Sequence, residues 1–154
     1  MSTTRMALGL LSLIIATSGF ASEVTHYSGT GSAEDANGWN APCTSISLSV
    51  LSAADKVELL NLQFVCGAVS KEHDPITLEK RAGNLFQGSK KVGTYSENEI
   101  DAILPEEHIN DLLFVIRMLK RGDELIFKED WLSQQDGGLD QTFDMTGTLK
   151  PVRH

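Results

Sequence analysis

The chain has 154 residues, a formal charge of −8 and four histidines. That acidity disfavours nucleic acid or anionic lipid as partners, and protonating every histidine would not reverse its sign. The length suits one domain with its own core, and neither a repeat nor a long linker divides it.

Arg5 is the only charge before Glu23 and precedes an apolar run from Met6 to Ala16. Small residues follow, with Gly19 and Ala21 placed for a cut before Ser22. Basic start, apolar run and small-residue site in that order predict a cleaved export signal over residues 1–21. The run is too short to cross a bilayer, which takes about 20 apolar residues. The expected mature protein is therefore residues 22–154, periplasmic or secreted, with no transmembrane segment. Export makes a disulfide between Cys43 and Cys66 the expected state of the two cysteines.

Val24 to Ser32 is rich in Ser, Thr and Gly and breaks at Glu34–Gly38. Its Ser28-Gly-Thr-Gly-Ser32 lacks the Lys-Ser/Thr of a phosphate loop, so backbone crowding in a strand explains the glycines better. Thr44–Leu51 alternates, with Ile46, Leu48 and Val50 on one face and serines on the other, which predicts a strand. Lys56–Cys66 can return beside it, pairing Ile46 with Phe64, Leu48 with Leu62 and Val50 with Leu60. That register sets Cys43 and Cys66 out of step, and a bulge near Pro42-Cys43 would reconcile the two. Ser52 and Asp55 also resemble a helix start.

Weaker strands are expected around Leu78, Leu85-Phe86 and Val92–Tyr95. Pro105–Gly122 reads two ways. As a helix it has Pro105 and two glutamates at the start and Lys120-Arg121 before a terminal Gly122. As a strand, Leu112–Ile116 turns through Lys120–Asp123 into Glu124–Trp131, where Leu125, Phe127 and Trp131 share a parity. The hairpin accounts for both sides of the turn and is preferred. Phe143, Met145, Gly147 and Leu149 then alternate with polar residues in a last strand. The fold class is mainly β, a single antiparallel barrel or sandwich with one disulfide. The alternative is an α+β fold with a helix around 106–121.

The Leu112–Trp131 hairpin and the closing Phe143–Leu149 strand resemble those of small calycin-like barrels of the lipocalin type. Lipocalins carry an early Gly-x-Trp, whereas Gly38 and Trp39 are adjacent here. The resemblance implies a cavity for a small apolar ligand.

No catalytic, metal or cofactor motif stands out. Arg121-Gly122-Asp123 matches an adhesion tripeptide but is ordinary turn chemistry. His26, His73 and His108 are scattered, and no serine has a nucleophile-elbow context. His108 lies among Glu106, Glu107, Asn110 and Asp111 in what reads as a solvated polar cluster. Asp136, Asp140 and Asp144 do not match a calcium loop. The expected ligand-facing residues are Trp39, Phe127, Trp131 and Phe143, in a non-enzymatic domain that binds a small apolar ligand or a partner protein. A cell-envelope interaction module, or an enzyme whose groups meet only in the fold, are the alternatives.

Overall fold

The computed structural model describes residues 22–106, 109–135 and 137–153. The export segment, His108 and Asp136 lie outside them. Eleven strands follow one another: β1 (Glu23–Asp35), β2 (Asn40–Ser52), β3 (Lys56–Cys66), β4 (Val69–Glu72), β5 (Ile76–Arg81), β6 (Asn84–Gln87), β7 (Lys90–Tyr95), β8 (Glu99–Pro105), β9 (Leu112–Arg121), β10 (Glu124–Gln135) and β11 (Gly138–Pro151). No helix is present among the described residues.

Every strand pair is antiparallel. β11 returns to β1, and the β2–β3 pairing closes the sheet into a ring. The expected antiparallel barrel is therefore present. One end, where β1 begins and β11 finishes, is called the near end; the β1–β2 and β10–β11 hairpins mark the far end. Segment 112–121 is a strand, and Arg121 pairs with Glu124 across a two-residue turn with Gly122 at φ +59°. The helical alternative for 106–121 is thereby corrected. Its supposed apolar face would have buried Ile109, which is exposed. The helix start at Ser52 is corrected too, since Lys56 opens a strand that runs back along β2.

Two bulges settle the β2–β3 register. An extra residue on β2 between Cys43 and Ser45 brings Cys43 opposite Cys66, while Ile46 stays opposite Phe64. The cysteines form the disulfide. Nearer the middle, Asn61 takes a left-handed conformation (φ 51°) and β3 gains a residue, so Val50 meets Leu59 and Ser49 meets Leu60. The expected Val50–Leu60 pair is corrected on this point, while Leu48 and Leu62 fall within the bulge. A bulge lets one strand keep its apolar face inward although the count of residues differs between partners.

Interior positions form rows across neighbouring strands. The middle row is Ile100–Met118–Phe127–Gly147–Gly31. Phe127 is fully buried, and the Ile46 side chain lies over Gly147, close enough that a Cβ there would strike it. A Cβ on Gly31 would collide with the carbonyl oxygen of Thr146. Close approach of β1 to β11 thus explains the glycines of the first strand. Around this row Ile46, Leu48, Leu59, Leu62, Phe64, Leu78, Leu85, Ile116, Met145 and Leu149 are each almost completely buried.

Candidate functional site

Two rows in the far half of the barrel carry the chemistry. The outer row, Leu104–Phe114–Trp131–Phe143, crosses β8 to β11 with three consecutive aromatic side chains. Trp131 packs on Phe143 at 4.8 Å between ring centroids, and Phe64 stacks on Phe143 from across the barrel at 5.8 Å. Trp39 reaches the same ring at 6.5 Å. Its backbone is held in the β1–β2 turn, where the Trp39 N–H donates to Asp35 Oδ1. Trp39, Trp131 and Phe143 are therefore brought together, with both tryptophans only part-buried. Phe127, the fourth expected residue, lies two rows deeper on β10.

The row between them is Ala102–Ile116–Glu129–Met145–Ala33. Four members are apolar and the fifth is a carboxylic acid with no solvent exposure. Glu129 Oε1 accepts a hydrogen bond from Trp131 Nε1 at 2.6 Å and lies 2.9 Å from His73 Nε2. Glu129 Oε2 is buried and meets no donor among the described residues. An isolated buried carboxyl oxygen is costly, because the hydration it loses is replaced by nothing. A barrel shaped only for stability would place an apolar side chain here.

His73 belongs to the short link between β4 and β5, and its N–H donates to the Leu62 carbonyl on β3. Its side chain is 4 % exposed and its ring lies 5.0 Å from that of Phe114. It also lines a cavity of about 70 Å³ together with Ile76, Leu104 and Phe114, under a rim that includes Lys71, Glu72, Asp74, Gln87 and Glu106.

The topology explains why a cavity opens there. Among the described residues β4 pairs only with β3. The β6–β7 hairpin is short, with its turn between Gln87 and Lys90, and β7 covers β8 only from Ile100 to Ala102. The β8 residues Ile103–Pro105 consequently have β9 on one side and no ladder on the other. A window remains in the barrel wall between β4 and the end of β8. Lys71 and Glu106 bridge it through an ion pair of 3.1 Å. His73 stands in this window, one hydrogen bond from Glu129.

A second opening lies at the near end, about 190 Å³, with Tyr27, Val50, Ile100, Met118 and Leu125 beneath a polar rim that includes Glu23, Glu97 and Glu99. None of the expected ligand-facing residues, Trp39, Phe127, Trp131 and Phe143, lines either opening.

The outer face of β8–β11 holds a separate charged network. Asp130 meets Lys128 and Arg117, Asp144 meets Lys128 at 2.5 Å, and Gln141 Nε2 donates to both aspartates. Burial pushes the Asp130 carboxyl above the usual aspartate value, helped by its neighbour Asp144 and opposed by Lys128. For Asp144 burial acts in the same upward sense, but the hydrogen bonds with Asp130 and Lys128 outweigh it and hold the group below that value. The hydrogen bond to Asp144 raises Lys128, with burial opposing. These groups face away from the interior. No group of three or more His, Cys, Asp or Glu among the described residues is arranged to hold a metal ion.

Glu129 is the residue that sequence reasoning missed, although the signal was present: it shares the inward parity of Leu125, Phe127 and Trp131. His73 was noted only as a scattered histidine, since 56 positions separate it from its partner.

No protein-family model and no curated protein matches the chain. Among solved structures, the intact afifavidin apo form is similar over 81 % of this chain and 82 % of that one, at 11 % identity and a TM-score of 0.40. A rhizavidin–biotin complex is similar over 81 % and 92 %, at 10 % identity and a TM-score of 0.38. A short afifavidin–biotin complex is similar over 78 % and 87 %, at 14 % identity and a TM-score of 0.34.

Proposed function

We propose that this is an exported barrel that binds a small, largely apolar ligand in its far half, reached through the window between β4 and β8. The observation that carries the reading is Glu129, a fully buried carboxyl with one orphan oxygen, set beneath an aromatic row and in hydrogen-bond contact with His73, which lines the window cavity. Small-molecule sites commonly combine apolar and aromatic walls with a few placed polar groups. Phe114, Trp131, Phe143 and Trp39 supply the first; Glu129 and His73 supply the second.

The interaction-module reading is weaker because the bare strand edges are short and blunted. β4 has four residues, and Pro105 and the Lys71–Glu106 pair stand at the window. Such features discourage pairing with another chain. An acid–base activity is the second reading, favoured by the His73–Glu129 contact at a cavity wall. Among the described residues no serine, threonine or cysteine lines that cavity, which speaks against nucleophilic catalysis.

The test is a titration of the purified mature protein with fatty acids, quinones, sterols, small heterocycles and biotin, followed by tryptophan fluorescence. We expect saturable quenching by at least one class, weakened more than ten-fold by Gln87→Phe, an exposed rim change that crowds the window. Absence of saturable binding across the panel would overturn the reading.

A further inference from the structure

We propose that the near end of the barrel is a second binding site, for a small organic cation: one apolar ring or short chain that carries an ammonium head. This site stands apart from the window and shares none of its lining residues. Its floor is apolar and drawn from inward positions of two groups of strands. Tyr27 on β1 and Val50 on β2 supply one side; Ile100 on β8, Met118 on β9 and Leu125 on β10 supply the other. Tyr27, Met118 and Leu125 are buried, while Val50 and Ile100 are half-buried against the core. A cavity of about 150 Å³ already accepts a benzene ring. The near-end opening, about 190 Å³, therefore suits one substituted ring and excludes a large fused system.

Tyr27 is the polar group of that floor. It is 9 % exposed and lines the opening. Its hydroxyl forms no hydrogen bond among the described residues and is not sealed from solvent. A buried phenol usually finds a partner. Here the partner can come from the opening: the oxygen accepts from an ammonium N–H, and the ring face attracts a cation.

The rim sets the sign of the charge. Glu23, Glu97 and Glu99 line it, and none of the three has an ion-pair partner among the described residues. Lys120 is the lining cation. Two of the carboxylates sit on a short turn that is fixed by backbone bonds. The Ser96 N–H donates to the Glu99 carbonyl, and the Lys120 N–H donates to the Asn98 carbonyl, which ties the turn to β9. Lys80, beside the rim, is already engaged by Ser52 Oγ, the Ala53 carbonyl and the charge of Asp55. Cleavage before Ser22 would add an α-amino group one residue from Glu23, leaving Glu97 and Glu99 against Lys120. The surplus stays negative, which favours an ammonium head over a carboxylate.

The closing experiment titrates the purified mature protein, at low ionic strength, with benzylammonium, benzyl alcohol and benzoate. These share one ring and differ in the charge of the head. Binding is read by NMR from the Met118 methyl group and the Tyr27 ring, with the Trp131 indole N–H as the report on the far half. Benzylammonium is expected to bind about five-fold more tightly than benzoate, with benzyl alcohol between them. Added salt should narrow that spread. In the double variant Glu97→Gln, Glu99→Gln, changed only at exposed rim positions, the ratio is expected to fall to about two-fold or less, with benzyl alcohol unaffected. Tyr27→Phe should weaken benzylammonium more than benzyl alcohol shifts between the same two proteins; should it not fold, the wild-type series still decides. Benzoate binding as tightly as benzylammonium overturns the cationic class. A preference that persists in the double variant overturns the role of the rim carboxylates. Binding abolished by Gln87→Phe, or felt at Trp131 and not at Met118, places the ligand in the window and overturns the near-end site. Saturable binding by none of the three overturns it as well, and leaves the far-half reading standing.

Discussion

Glu129 and Trp131 lie two residues apart on one strand, and inside the barrel the indole N–H of the second donates to the carboxyl of the first at 2.6 Å. Same-face neighbours on a strand seldom bond in this way; here the contact ties the aromatic row to the buried acid. Trp131→Phe keeps an aromatic ring against Phe143 but removes the donor. The carboxyl then keeps only His73 among the described residues, and the loss of a buried hydrogen bond should cost about 1–3 kcal/mol in urea unfolding. A variant as stable as the wild type would show that the bond contributes nothing to the fold.

The close approach of β1 to β11 makes a second prediction. Gly31→Ala places a methyl group against the Thr146 carbonyl and the Gly147 Cα, both backbone, so neither can rotate away. Strands must part locally, at a cost of about 1–3 kcal/mol typical of overpacking. Ser32→Ala, exposed on the same strand, should stay within about 0.5 kcal/mol of wild type. Comparing the two midpoints in denaturant checks this, and equal midpoints would contradict the packing described.

The contrast between what the sequence announces and what it hides follows from distance along the chain. Ile46–Val50 and Phe143–Leu149 alternate because one face of each strand is buried and the other is not, a local property that any reader can see. The Leu112–Trp131 hairpin is legible for the same reason, with a glycine at its turn. The short β4 carries too few apolar residues to announce itself, and in β8 the alternation of Ile100, Ala102 and Leu104 is blurred by Ile103, which is exposed on the other face. The window is a further step removed, since it arises from the length of the β6–β7 hairpin relative to β4 and β8. Glu129 was readable as an acid at an inward position, but its meaning depended on His73, which only closure of the ring brings to it.

Export is the third prediction, from residues outside those described. The basic start, apolar run and Gly19–Ala21 site imply a mature chain that begins close to Ser22. Intact-mass analysis of protein from the producing cell should give that start, and thiol labelling of the unreduced, denatured protein should find neither Cys43 nor Cys66 reactive. A chain beginning at Met1 would refute cleavage.

The fourth prediction concerns pH and the outer network. Asp130 has its carboxyl raised in the fold, chiefly by burial and then by Asp144, despite the nearby Lys128. A raised folded value means that the fold binds the Asp130 proton more strongly than the unfolded chain does. That contribution to stability is complete below the ordinary aspartate value of 3.8 and is lost as pH rises through the folded value. At neutral pH the ionised Asp130 is therefore a net cost. Asp144 behaves oppositely: its lowered value stabilises the fold above the ordinary range and is lost as pH falls. Asp130→Asn removes the unfavourable ionisation, keeps the shape, and leaves Lys128 to Asp144. The variant should equal or exceed wild-type stability at pH 7, and its advantage should vanish towards pH 3, where Asp130 is protonated in both states. Denaturant midpoints at several pH values between these limits measure it. A variant clearly less stable than the wild type at pH 7 would show that the ion pairs of Asp130 with Arg117 and Lys128 outweigh its burial.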